Sequence, residues 1–199
     1  REEALAALTG AWRRAVSGKQ TAVAVVLADA GLGKTRLVEE LMARVGLEGG
    51  VTLRVRCVET DKSSPWSGLL GMARGGLLEA RGIASAPASA HAAFAAQITE
   101  WGDRYRGAAG TEPAPLPRAF TELVRAAADE QPVLVVADDC HHLDVESFQS
   151  LAALPRDVTA APIMLLLTAE PAVPSDTLDA LRSRFGRDLH GEVMELGPL

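Results

Sequence analysis

The chain has 199 residues, 48% of them apolar and 23% charged, a length that fits one ordinary domain or two small ones. A net charge of −6 and an isoelectric point near 5.3 argue against a sequence-wide nucleic-acid footprint, and no apolar run approaches a membrane span. The mixed-charge opening Arg1-Glu2-Glu3 lacks the character of a signal peptide, and two distant cysteines, Cys57 and Cys140, make no disulfide framework, so a soluble domain in the reducing cytoplasm is expected.

Residues 2–16 carry Leu5, Leu8, Trp12 and Val16 at spacings of three or four, which predicts an amphipathic helix ended by Ser17-Gly18-Lys19. Thr21 to Leu27 (TAVAVVL) is a short β-branched apolar run, the pattern of a strand buried on both faces. A Gly-rich turn follows, then a helix over 35–45 with Leu37, Val38, Leu41 and Val45 on one face; Gly46 and Gly49-Gly50 lead to a second strand at about 51–55. From 56 to 131 no buried strand is evident. Helices are predicted there at about 66–80, 90–105 and 116–129, with loops at 60–65, 82–88 and 107–117. The last loop (GAAGTEPAPLP) holds three prolines that favour extended backbone, and is read as internal because the strands on either side make no complete sheet alone. Strand character returns at 133–137 (VLVVA), just before Asp138-Asp139. Asp144 is a natural N-cap for a helix over 145–154. A buried strand at 163–167 (IMLLL), a helix at 177–185 and a short strand at 192–196 complete the chain. Short apolar strands alternating with helices predict an α/β fold: a doubly wound, mainly parallel sheet with a helical insertion at about 56–131, between strands two and three.

Only three lysines occur, Lys19, Lys34 and Lys62, in a chain rich in alanine and arginine, a bias suggesting a GC-rich bacterial source. Lys34 lies in Ala28-Asp29-Ala30-Gly31-Leu32-Gly33-Lys34-Thr35, between a buried strand and a helix. Gly31 and Gly33 permit the curvature that turns backbone N–H groups toward a phosphate, and the helix presents its N-terminus to the anion. Lys34 reaches the β- and γ-phosphates, and the Thr35 hydroxyl is suited to Mg²⁺. Ala28, Ala30, Leu32 and Arg36 complete the expected nucleotide-contacting loop, although the strict pattern asks for Gly where Ala28 stands.

Asp138 and Asp139 end an apolar strand, where ligands of open parallel sheets collect. Asp138 is expected to hold Mg²⁺ through water, and Asp139 to orient or deprotonate the attacking water. Asp138 to Asp144, with Cys140, His141 and His142, has ligand types that suit zinc, but adjacent residues point in different directions and no second ligand group has matching spacing. His141 and His142 are read as loop residues, one of them lining the nucleotide site. Thr168, at another strand end, is expected to bind the γ-phosphate or its water; Glu170 either repels the phosphate or turns to solvent. Arg182, Arg184 and Arg187 either supply charge to a neighbouring subunit's phosphate or form an exposed helix face.

Together these residues resemble the STAND class of P-loop NTPases, in particular the ATPase domain of large ATP-binding LuxR-type bacterial regulators. The resemblance spans nearly the whole chain: Arg1-Glu2-Glu3, the Walker A segment 30–37, Arg56-Cys57-Val58-Glu59 with Pro65-Trp66, the Walker B segment 138–144, and the exit Glu195-Leu196-Gly197-Pro198-Leu199. It implies a five-stranded core within 1–199, trimmed from a longer protein, that binds ATP or ADP with Mg²⁺ through Lys34, Thr35 and Asp138, with Asp139 catalytic. It further implies a nucleotide-gated regulatory switch with self-association or packing on other domains of its own protein. Ala28 and Glu170 depart from the family pattern, so slow hydrolysis is expected. The acidic balance, with no DNA-reading helix-turn-helix or apolar span, predicts no nucleic-acid or membrane contact by this segment. Glu170 stands where such proteins often carry arginine. A fast AAA+ motor and a nucleotide-degenerate interaction module are the alternatives.

Overall fold

The central strands send alternate side chains into two separate cores. Helix α1 (Glu2–Gly18) precedes β1 (Thr21–Leu27), and α2 (Lys34–Leu47) leads to β2 (Val51–Arg56). Four helices follow, α3 (Ser67–Arg74), α4 (Ala88–Ala95), α5 (Thr99–Arg104) and α6 (Leu116–Glu130), before β3 (Val133–Asp138). The chain then runs through α7 (Val145–Asp157), β4 (Ile163–Ala169), α8 (Asp176–Arg182) and β5 (His190–Glu195). The computed structural model describes residues 1–197; Pro198 and Leu199, part of the expected exit segment, lie outside the described residues.

The sheet has the order β2-β3-β4-β1-β5, with every neighbouring pair parallel. On one face Val23, Val25, Val135, Leu165 and Leu167 pack with Leu69, Phe94, Phe120, Leu151 and Leu178 of α3 to α8. On the other, Ala24, Val26, Val136, Met164 and Leu166 pack with Leu8, Trp12, Leu37 and Leu41 of α1 and α2. Burial on both faces explains the unbroken apolar runs of β1, β3 and β4, and each fully buried Val or Leu contributes about 1.5–3 kcal/mol. The helical insertion covers the first of these faces.

Two predicted helices are broken, each by a tertiary contact. The helix expected at 66–80 ends at Arg74 because Gly75-Gly76 lies along the outer edge of β2, where Arg54 N–H donates to Gly75 O at 3.0 Å. Gly76 has φ 133°, and a Cβ there would collide with Thr52 O. The helix expected at 90–105 divides into α4 and α5 around an extended Ile98, a break that lets Phe94, Ile98 and Trp101 all enter the core. The helix expected at 177–185 stops at Arg182, and turns through Gly186 carry the chain toward β5.

Candidate nucleotide-binding site

β4 lies between β1 and β3, so their carboxyl ends converge around its own. Val26 is in register with Thr168, and Ala137 with Leu167, which brings the loop after β1 beside Asp138 at the end of β3. Ala28 N–H donates to Ala169 O at 3.1 Å, and its side chain is buried in the same core as Val26 and Leu37, so alanine fits the position where glycine was expected. The loop then turns through Gly31 at φ 78° and Gly33 at φ 80°, both in the left-handed region that favours glycine. The first α2 bond runs from Leu37 N to Gly33 O at 3.1 Å, leaving the N–H groups of Lys34, Thr35 and Arg36 without intrahelical acceptors. That is an anion-binding geometry.

Lys34 is only 6% exposed; its Nζ donates to Ala28 O at 2.8 Å and Asp29 O at 3.3 Å, and stands 3.7 Å from Asp139 Oδ1. Asp138 is fully buried, with Oδ1 accepting from Thr168 Oγ1 at 2.7 Å and Oδ2 from Arg54 Nη2 at 2.9 Å. Asp139 has a left-handed backbone, φ 56°, and its N–H donates to Thr168 Oγ1 at 2.8 Å. One buried threonine hydroxyl thus fixes both carboxylate residues. Its hydrogen is directed at Asp138, so Thr168 positions the two carboxylates in this arrangement.

His141 and His142 follow on a one-turn 3₁₀ segment, their rings 4.1 Å apart. Burial holds His141 below its ordinary pKa, and the His142 and Lys34 charges add to this, while Asp139 and half-buried Glu170 oppose it. The site therefore gathers Lys34, Asp139, His141 and Glu170 into one electrostatic neighbourhood. Arg182 and Arg184 are engaged by their own chain, at 3.5 Å from Asp179 and 2.9 Å from Asp188.

Asp144 is fully buried and caps α7 through Ser147 N–H at 2.8 Å. It also accepts from Trp66 N–H at 2.9 Å, Gly68 N–H at 3.0 Å and Ser67 Oγ at 3.1 Å, at the start of α3. Burial pushes its carboxyl pKa upward, but the bonds from Gly68, Ser147 and Trp66 outweigh that and hold it below the usual carboxylate value.

Sequence reasoning passed over two elements of the site. A cleft of about 750 Å³ beside the loop is lined by Arg1 and Glu2 together with Leu32, Gly33, Arg36 and Leu37; nothing in the local pattern links residue 1 to residue 33. Arg54 did leave a signal, since a charge inside a half-buried strand (VTLRVR) requires a partner.

A Gly-rich strand-to-helix loop bearing lysine, set beside a strand-end carboxylate pair in a β2-β3-β4-β1-β5 parallel sheet, defines a P-loop NTPase core. The chain belongs to the AAA ATPase domain family, whose sequence pattern matches residues 1–167. No curated protein matches it in sequence. Among solved structures it is similar to Cdc6p from Pyrobaculum aerophilum, with a TM-score of 0.63, 15% identity, and coverage of 100% of this chain and 45% of that one. It is also similar to the Aeropyrum pernix ORC1 protein, solved in complex with DNA (TM-score 0.55, 16% identity, 100% and 45% coverage). The Aeropyrum pernix ORC2 protein, in ADPNP and ADP complexes, is a third (0.54, 17%, 98% and 46%). At these identities the likeness shows the fold, and the chain spans a little under half the length of each of the three. No helix among the described residues is long and apolar enough to cross a membrane.

Proposed function

We propose that this domain is an ATP-binding regulatory switch, with slow Mg²⁺-dependent hydrolysis, within a larger bacterial signalling or transcriptional regulator. The observation that carries the reading is the approach of Lys34 Nζ to within 3.7 Å of Asp139 Oδ1, at the meeting of the loop and the carboxylate pair. The loop's N–H groups and Lys34 bind the β- and γ-phosphates, exchanging the carbonyls of Ala28 and Asp29 for phosphate oxygens. The cleft beside Arg1 and Leu32 takes the base and sugar. The Thr35 hydroxyl and the Asp138 carboxylate form a hard-oxygen donor pair that suits Mg²⁺, which when bound neutralises charge on the phosphates. Asp139, oriented by Thr168, holds the attacking water and takes its proton.

Three features favour a switch over a motor. Asp139 is a short base that stays close to Lys34, Glu170 places negative charge at the β4 end, and Arg182 and Arg184 are engaged within their own chain. The reading includes self-association or packing on other parts of the same protein. It assigns no nucleic-acid contact to this acidic segment, so duplex DNA should leave its anisotropy unchanged.

Equilibrium titration of the purified domain with fluorescent ATP and Mg²⁺ tests the proposal. Saturable binding is expected, and Lys34→Ala should weaken it at least ten-fold while leaving the circular dichroism spectrum intact. Folded wild-type protein that binds neither ATP nor ADP at millimolar concentration sinks the reading. Fast turnover that climbs with protein concentration favours the motor instead.

A further inference from the structure

Asp138 has no exposed surface, and a cation already neutralises it. That cation is Arg54, two residues before the point where β2 comes level with Asp138: Arg54 is in register with Val136, and Arg56 with Asp138. Two residues of strand span about 7 Å, within the reach of an arginine side chain laid along the sheet. Arg54 Nη2 is 2.9 Å from Asp138 Oδ2, and Nη1 is 3.7 Å from Glu39 Oε1 on α2. Thr35 and Glu39 are four residues apart on α2 and therefore share one helix face. The guanidinium thus bridges Asp138 and the stretch of α2 that also carries Thr35.

The bonding of Arg54 is incomplete. A structural arginine–carboxylate pair is commonly bidentate, with two N–H groups on two oxygens. Here a single nitrogen bonds to Asp138, the second carboxylate oxygen belongs to Thr168, and Arg54 Nε is buried without a partner. Charge, rather than a full set of hydrogen bonds, holds the guanidinium in place. Glu39 offers a second anion 3.7 Å from Nη1, with its side chain 60% exposed.

We infer that Arg54 is a built-in counter-cation that competes with the divalent ion for Asp138, a positioning residue that sets the Mg²⁺ requirement for nucleotide binding. The inference rests on the reading that Asp138 serves the metal of a nucleotide site. In the nucleotide-free domain Arg54 lies against Asp138, so the buried carboxylate is paired and oriented without metal. When Mg²⁺–nucleotide arrives, two cations are brought to one carboxylate, and their repulsion is relieved as the guanidinium shifts toward Glu39. The requirement for Mg²⁺ is raised accordingly.

The test is nucleotide affinity measured with fluorescent ADP across a Mg²⁺ series and in EDTA, for the wild type, Arg54→Gln, Arg54→Lys and Glu39→Gln. Arg54→Gln should lower the Mg²⁺ concentration at half-effect by about ten-fold, and lower the melting temperature in EDTA more than in Mg²⁺. Arg54→Lys, which keeps the charge, should stay near the wild type. Glu39→Gln removes the alternative anion from an exposed position and should raise the Mg²⁺ half-point, which keeps the inference open to refutation even if Arg54→Gln does not fold. A wild type that binds no nucleotide refutes the underlying reading. A wild type that binds, with variants sharing its Mg²⁺ half-point, overturns the counter-cation alone.

Discussion

Asp144→Ala should be the most damaging single substitution outside the hydrophobic cores. The Asp144 carboxylate receives four hydrogen bonds, three from backbone N–H groups of Trp66, Gly68 and Ser147 and one from the Ser67 hydroxyl. Removing it uncaps α3 and α7 together, and each lost cap costs about 1–2 kcal/mol. Leaving buried N–H groups without acceptors adds about 1 kcal/mol more, the low end of its usual range, because the cap losses already contain part of it. The expected loss is therefore about 3–5 kcal/mol, a large part of the roughly 5–15 kcal/mol typical of a folded domain. At about 2–4 °C per kcal/mol for a chain of this size, the melting temperature should fall by roughly 6–20 °C. Urea unfolding followed by circular dichroism measures it directly, and Asp144→Asn, which keeps one acceptor oxygen, should fall between the two. The carboxyl is held below its usual pKa, so its stabilisation is present above the unfolded value of about 3.9 and fades as pH falls through the folded value. The wild type should accordingly lose stability below about pH 4 more steeply than Asp144→Asn. A loss under 1 kcal/mol for Asp144→Ala, with unchanged urea dependence, would refute the double-cap argument.

Gly76→Ala should destabilise the domain by more than 2 kcal/mol in the same urea assay, because the residue has φ 133° and its new methyl meets Thr52 O. Asp139→Asn should reduce phosphate release from ATP at least a hundred-fold, with nucleotide affinity within a few-fold of wild type. Burial raises the thiol pKa of Cys57 far above its ordinary value and that of Cys140 to about 12, so neither should react with a thiol reagent at pH 8 until the protein is unfolded. Prompt labelling of either cysteine in the native protein would contradict this.

The parts of the fold governed by local periodicity were readable from the chain. β1 spans 21–27 as its β-branched run predicts, and Asp144 caps α7 as its place before an apolar helix predicts. The breaks in the 66–80 and 90–105 helices were harder to read, since both answer to tertiary contacts: Gly75-Gly76 against β2, and Ile98 reaching into the core. The same holds at the site. Lys34 and the carboxylate pair announce themselves by their places at strand ends, whereas the hold of Arg54 on Asp138 and the bonds from Asp144 to α3 join residues some eighty positions apart. Thr168 was legible as a site residue, but its service to two neighbouring aspartates required the register of β3 with β4.

The strand order bears on how the chain acquires its shape. Thr21 of β1 lies beside Ile163 of β4, and Ala22 beside His190 of β5, so β1 is bounded on both sides by strands that come much later in the sequence. Among the described residues only β3, α7 and β4 form a unit of neighbouring strands from one short stretch, and loop-closure entropy favours that unit as the folding nucleus. During synthesis the lysine loop emerges well before β4 and β5, so it waits for the neighbours that complete it. Pulse-labelled hydrogen exchange during refolding should show β3 and β4 protected ahead of β1. Nucleotide, on this view, binds a site completed at the final docking step, and so stabilises the finished domain without speeding its assembly.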